Sequence, residues 1–438
     1  MDDNLASVVT TASALLAEAV IADPKYVERL GDLDARLKEG LREIGRRASE
    51  TVYRAAARKA TERLEAEGLK AERRPTITFH VLFGPIEVES PYLWSGKGGR
   101  SARPVKDELG LEHLGKTQAL ERALTDFGAE ESFGQAAKRF EEHYGWAVGR
   151  TSILRLVEGV ASEAETFVEK RFEEASKEFD QPLAQRLGAE HVLVELDGGE
   201  IRTGKLVPAP EGGKTAVLGL PKRLRETEWR DVRIGLARQL DEVEPTYVGK
   251  LAPYPEVVGQ LFGAACMHGL SQRTKVVACS DGGNGIREEI ETQFPNVQYV
   301  LDHAHAKSQF YETADAKGLK GDEREKWVAH QMARLHEGDV QLALDELAAH
   351  KGKGKARVVR LHEYLTRFKD AVHYDAFEKA GFPRGSGEVE SAHRTIPQKR
   401  LKLPGAWWLE SNVNPMLALR VLRANGWWNE FWTQRKAA

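Results

Sequence analysis

HVLVELDGG at 191–199 and TKVVACSDGG at 274–283 are the stretches that decide the reading of this chain. Each is an apolar, β-branched run of strand length, and each closes on Asp-Gly-Gly. Asp197 and Asp281 are therefore expected at strand ends, with glycines behind them that leave room for a close backbone approach. Asp-Gly is also common turn chemistry. One such motif alone reads as a turn, whereas two on separate strands point to a site.

Working outward, EIRTGKLV (200–207) alternates after a turn expected at Gly198-Gly199, and EWRDVRIGLARQL (228–240) alternates again. These make three neighbouring antiparallel strands. YPEVVGQLFGAACMHGL (254–270) follows as a helix, then strand 274–281, the helix GIREEIETQF (285–294) and the strand VQYVLD (297–302). Three strands, helix, strand, helix, strand is the order of a ribonuclease-H-like core, in which the first and fourth strands are neighbours. Asp197 and Asp281 are then expected to face each other. The next 80 or so residues read as helix, and the core resumes at GSGEVESAHR (385–394).

Upstream, residues 1–75 read as helices with apolar positions at three-and-four spacing. TITFHVLFGPIEVESPYLW (76–94) reads as a hairpin around Gly84-Pro85, and SGKGGRSARPVKDELG (95–110) as a loop. In SFGQAAKRFEEHYGWAVGRTSILRLVEGV (132–160), helix, glycine break and second helix resemble a helix-turn-helix. Arg150, Thr151, Ser152 and Arg155 would stand near the start of the second helix, where base edges and phosphates are met. Glycine-linked helix pairs are common in any helical domain.

The fold class expected is mixed, multidomain α/β. It comprises an N-terminal helical region (1–75), a β-hairpin and loop (76–110) and a helical, helix-turn-helix-like DNA-binding region (111–185). A ribonuclease-H-like catalytic core (186–312) follows, with a helical insertion (313–380) and a return to the core (381–438).

At 438 residues, 41% hydrophobic and 30% charged, the chain can bury a large core. No apolar run reaches the ~18 residues of a membrane span. MDDNLASVVT carries no basic leader, and two cysteines, Cys266 and Cys279, make no disulfide framework. A cytoplasmic protein is expected. The net charge of −3 gives no global basic footprint, but residues 385–438 hold eight Lys/Arg against four Asp/Glu, and KGKGKARVVR (351–360) is locally basic.

A third carboxylate is sought in GSGEVESAHR. Glu388 and Glu390 point about 200° apart on a helix, so only one can face the core. Three carboxylates suit hard Mg²⁺, with Mn²⁺ as substitute. Two such ions about 3.5–4 Å apart can activate an attacking oxygen and stabilise a leaving one in phosphodiester cleavage. LDHAHAK (301–307) adds Asp302 and His305 as auxiliary polar groups. Its HxH, His303 and His305, could instead serve zinc, but no companion motif accompanies it and no zinc site is expected. RTIPQKRLKLPG (394–405) offers Arg394, Lys399, Arg400 and Lys402 as phosphate contacts. Five of nine tryptophans fall within 407–432; most suit a core, while Trp407 and Trp408 are the DNA candidates.

The pieces ELDGG, SDGGNGI, LDHAHAK and GSGEVESAHRTIPQKRLKLPGAWW together resemble bacterial insertion-sequence transposases of the Kra type, related to Mutator-like DDE transposases. The resemblance covers most of the chain from the hairpin to the C-terminus. It implies a catalytic, metal-holding triad of Asp197, Asp281 and Glu390, with an Asp-x-x-His signature on Asp302 and His305. Glu388 is then auxiliary. It implies cleavage at terminal inverted repeats and joining to target DNA by a homodimer or larger assembly that associates with the nucleoid when acting. A nuclease that never joins strands, or a non-catalytic DNA-binding derivative, are the alternatives. Relatives often carry a Cys-rich metal knuckle after the hairpin; SGKGGRSARP has no cysteine there.

Overall fold

The computed structural model describes residues 3–182, 185, 188–208 and 223–437. The chain divides into two compact units, residues 1–127 with 133–153, and residues 128–132 with 154–438.

In the first unit, helices Asp3–Ile21 and Leu33–Ala66 precede five short strands. These are β1 (Lys70–Arg73), β2 (Thr76–Val81), β3 (Gly84–Glu89), β4 (Tyr92–Trp94) and β5 (Ser101–Ala102). The second helix ends at Ala66, where Gly68 takes a left-handed φ of 93° and turns the chain into β1, so the last residues of the helical region drawn to 75 are strand. The hairpin β2–β3 runs from Thr76↔Glu89 to Val81↔Gly84. Its loop is Leu82-Phe83, with Gly84-Pro85 already inside β3 rather than in the turn. Alternation then buries Ile86 and Val88 with Phe79, Val81 and Ala57 in one core.

The second unit carries a five-stranded sheet of order β10-β9-β6-β7-β8. Its strands are β6 (His191–Pro208), β7 (Arg223–Gln239), β8 (Thr246–Lys250), β9 (Lys275–Ser280) and β10 (Val297–Leu301). β6, β7 and β8 are antiparallel, while β9 lies parallel to β6 and to β10. The sheet is mixed, as the α/β reading requires. Its centre is buried on both faces, with Val192 to Leu196 and Val276 to Ser280 all enclosed.

One expectation fails here. Gly198-Gly199 is not a turn. β6 runs through it for 18 residues, paired with β7 from Val192↔Gln239 to Pro208↔Arg223. Neither glycine adopts positive φ, and a complementary 17-residue partner satisfies their backbone groups. The ladder outweighs local turn chemistry.

Helix Tyr254–Met267 packs on β7 and β8, and Ile286–Gln293 links β9 to β10. Helices His303–Lys317, Gly321–Glu337, Val340–Ala349, Lys355–Arg367 and Tyr374–Lys379 follow as the helical insertion, before Gly387–His393 returns to the sheet.

Candidate active site

Asp197 projects from β6 and Asp281 follows the last residue of β9. The parallel register of β6 and β9 runs to Glu195↔Cys279, two residues before each aspartate, and the charge of Asp281 acts on Asp197. Burial raises the Asp197 carboxyl above the ordinary range; His393 and His305 work against the rise, and the like charge of Asp281 adds to it. Gly198 N–H donates to Asp197 Oδ1 at 2.8 Å.

The loop after β9 is tightly held. Asp281 Oδ1 accepts the Gly283 N–H at 2.9 Å. Tyr364 Oη–H donates to Asp281 O at 3.0 Å, and Arg367 reaches Gly282 O at 2.7 Å and Asn284 Oδ1 at 2.6 Å. Gly282 has φ +77°, and a Cβ there would sit 2.6 Å from Leu301 Cδ1. Only glycine fits this corner.

Helix Gly387–His393 completes the arrangement. Three of its residues reach the sheet, and the residue before it reaches Asp302. Ser386, just before it, donates from N–H (2.7 Å) and Oγ (3.0 Å) to Asp302 Oδ2. Val389 N–H donates to Glu195 Oε2 at 2.8 Å. Glu388 makes a two-pronged ion pair with Arg238 at 2.6 and 3.0 Å. His393 Nε2 lies 3.3 Å from Asp197 Oδ2 and 3.2 Å from its carbonyl oxygen. Gly199 permits this, since a Cβ there would come within 2.9 Å of the His393 ring.

Glu390 is exposed. It lies four residues after Ser386 and three before His393, on the same helical strip as both. Ser386 reaches Asp302 and His393 reaches Asp197, while the Glu390 carboxylate stands exposed between them and does not close with Asp197 and Asp281 on a common point. Glu388, turned to Arg238, is committed to a structural pair.

Asp302 caps the helix His303–Lys317, its Oδ1 accepting the His305 N–H at 2.7 Å and facing His305 Nδ1 at 2.9 Å. Burial alone would raise its carboxyl. The bonds from His305 and Ser386 outweigh that and hold it well below the usual range. The same bond to Asp302 raises His305 to about 9 against its own partial burial, with Asp281 and Asp197 adding to the rise. A cationic imidazole therefore stands beside the two aspartates. His303 turns away and meets His336 Nε2 at 3.0 Å, so the HxH pair does not converge.

Among the described residues, no three His, Cys, Asp or Glu side chains close on a single point that could hold a metal as they stand. Asp197 and Asp281 nonetheless present hard oxygen donors whose mutual repulsion a divalent cation would relieve, so the donor chemistry suits Mg²⁺.

The other sequence candidates divide. Arg394 and Lys402 are exposed, and Lys399 pairs with Glu130 at 2.6 Å while its side chain stays 59% accessible. Arg400 and Trp408 are buried, which corrects their reading as DNA contacts. Arg400 Nε donates to Gly128 O at 2.9 Å, its guanidinium lies 4.8 Å from the Trp408 ring, and Trp408 Nε1 donates to Leu401 O. Trp407 is half-buried. Arg150, Thr151 and Arg155 are exposed and Ser152 half-buried in the helix Arg150–Lys177, which follows Phe133–Tyr144 and Gly145 (φ +73°). That helix runs for 28 residues.

Sequence reasoning missed His393, Glu195, Arg238, Tyr364 and Arg367. His393 had a signal, the i,i+3 spacing from Glu390 on a helix. The others are bound through partners far away in the chain. No helix among the described residues is long and apolar enough to cross a membrane. No family model matches this chain, and no curated protein matches it either.

Proposed function

We propose that the chain is a DDE-type DNA transposase with a ribonuclease-H-like core. What supports this best is the pair Asp197 and Asp281, just past the paired stretch of two neighbouring parallel strands, with the helix bearing Glu390 tethered to Asp197 through His393. The strand order β10-β9-β6-β7-β8, with three antiparallel strands followed by two parallel ones, is in keeping with that core.

Asp197, Asp281 and Glu390 would hold Mg²⁺ or Mn²⁺, which supplies oxygen activation and leaving-group stabilisation when bound. His393 orients Asp197, and Asp302 with Ser386 positions the helix that carries Glu390. The substrates would be terminal inverted repeats and target DNA, brought together by at least two copies of the chain.

The test uses Asp197→Asn, Asp281→Asn and Glu390→Gln, each assayed on duplex ends with Mg²⁺ or Mn²⁺. The expected result is retained DNA binding and at least a thousandfold loss of cleavage in each. Cleavage at the wild-type rate by any one removes that residue from the triad. Pre-cut ends that are never joined to target DNA would make the protein a nuclease without strand transfer. Metal-independent binding with no nicking by the wild type would make it a DNA-binding derivative.

A further inference from the structure

We infer that one face of the outer β6–β7 ribbon, carrying Arg202, Arg223, Arg225 and Trp229, is a second contact surface for duplex DNA, separate from the segment that is cut. It rests on the reading of the protein as a DNA enzyme.

Beyond Gly199 the two strands leave the enclosed centre of the sheet and most of their side chains become exposed. Residues directly opposite in an antiparallel pair share a face, and alternate residues share it along each strand. The register therefore sorts the ribbon. One face takes Arg202 opposite Trp229, Gly204 opposite Thr227, Leu206 opposite Arg225, and Pro208 opposite Arg223. The other takes Ile201 opposite Arg230, Thr203 opposite Glu228, and Lys205 opposite Glu226.

The two faces differ in charge. On the second, acid and base cancel: Lys205 pairs with Glu226 at 3.5 Å, and Arg230 with Glu410 at 3.0 Å. On the first, three arginines stand together, and none of them pairs with a carboxylate among the described residues. Arg202 Nε donates to Thr227 Oγ1 at 3.1 Å, and the Arg225 guanidinium lies 5.0 Å from the Trp407 ring, which packs over Gly204. Glu200 and Asp231, the acidic residues of this face, lie together at its base.

Trp229 is 59% exposed, directly across from Arg202 and inward of Arg225 and Arg223. An indole left in water among cations is suited to stack on a sugar or base once phosphates are engaged. From Arg202 to the position opposite Arg223 is six residues, about 20 Å of strand. That matches about 6 base pairs at ~3.4 Å each, and a two-stranded ribbon fits the major groove. Asp197 projects on the same side as Gly199 and Ile201, opposite the arginines. DNA on this face is therefore a different segment from DNA at the carboxylates.

The experiment uses the full chain and fluorescence anisotropy on duplexes of two lengths, across a range of KCl concentrations. Arg202→Gln with Arg225→Gln should weaken binding to the long duplex at least tenfold. It should also lower the slope of log affinity against log salt by about 2, as expected for two lost phosphate contacts. Trp229→Ala should weaken it about tenfold with the slope unchanged. Arg202→Lys with Arg225→Lys should restore most of the affinity, which a purely structural role would not allow. Cleavage of a short pre-bound duplex should stay at the wild-type rate. Unchanged affinity and slope in the Gln variants, beside tight wild-type binding, would overturn this inference and leave the enzyme reading standing. Loss of self-association without loss of DNA binding would also overturn it, assigning the face to a second copy. A wild type that binds no DNA would remove both.

Discussion

Glu195→Gln should change how stability depends on pH. Glu195 is 1% exposed, one strand repeat before Asp197, and accepts the Val389 N–H at 2.8 Å. Burial raises its carboxyl to about 8, with Glu388 and Asp302 adding to the rise and the Val389 bond and Arg238 opposing it. A folded pKa above the unfolded one means that the folded state binds the proton more tightly. The stabilisation is complete below about pH 4.5 and is lost as pH rises to 8 and beyond. The interval corresponds to about 5 kcal/mol at most, at about 1.4 kcal/mol per pH unit. Gln keeps the carbonyl that accepts from Val389 and removes the ionisation. Urea unfolding followed by circular dichroism at pH 5, 7 and 9 reads the difference. At pH 5 the variant should be equal to wild type or weaker by about 1–2 kcal/mol for its new buried N–H groups. At pH 9 it should be more stable by several kcal/mol. Parallel pH profiles for the two proteins would refute the assignment of a buried, proton-binding Glu195.

Three further outcomes follow from the same geometry. His393→Ala should destabilise the protein by about 1–3 kcal/mol, measured by urea unfolding, and should slow cleavage at least tenfold by releasing Asp197. Gly282→Ala should cost about 2–4 kcal/mol in the same measurement, because φ +77° and the contact with Leu301 both oppose a Cβ. The Asp302–His305 bond should make two opposite contributions to thermal stability. That of His305 is present below pH 6.5 and lost as pH rises through about 9, and that of Asp302 is present above pH 3.8 and lost on acidification. A melting series should show His305→Gln flattening the alkaline limb, and a limb unchanged by the substitution would dismiss the pairing.

Strand β9, strand β10, the helix before them and the helix between them were legible because short apolar runs and helical spacing agree with their tertiary setting. Both halves of β6 were legible as strand, but not their continuity through Gly198-Gly199. The Asp-Gly-Gly at their junction favours a turn locally, and nothing nearby announces the 17-residue partner that keeps it extended. The choice between Glu388 and Glu390 was equally closed to local reasoning. Arg238 settles the orientation of Glu388, and it lies 150 residues away. Arg400 and Trp408 sit in a basic, aromatic segment that looks like a DNA contact. They stack on each other instead, and Arg400 spends its Nε–H on the Gly128 carbonyl. His393 was within reach, three residues past Glu390.

The grip of Tyr364 and Arg367 on the loop after β9 has a consequence for how such proteins can be cut and rearranged. Both residues belong to the stretch between β10 and helix Gly387–His393, which by length alone resembles a removable spacer. Replacing it with a short linker would preserve all five strands and every acidic side chain of the proposed triad, yet would strip the scaffolding from beneath Asp281. Any minimised version of this protein must keep helix Lys355–Arg367 or supply a substitute for its two anchors. Natural variation in this region should tolerate changes in the outer helices far better than changes at those two positions.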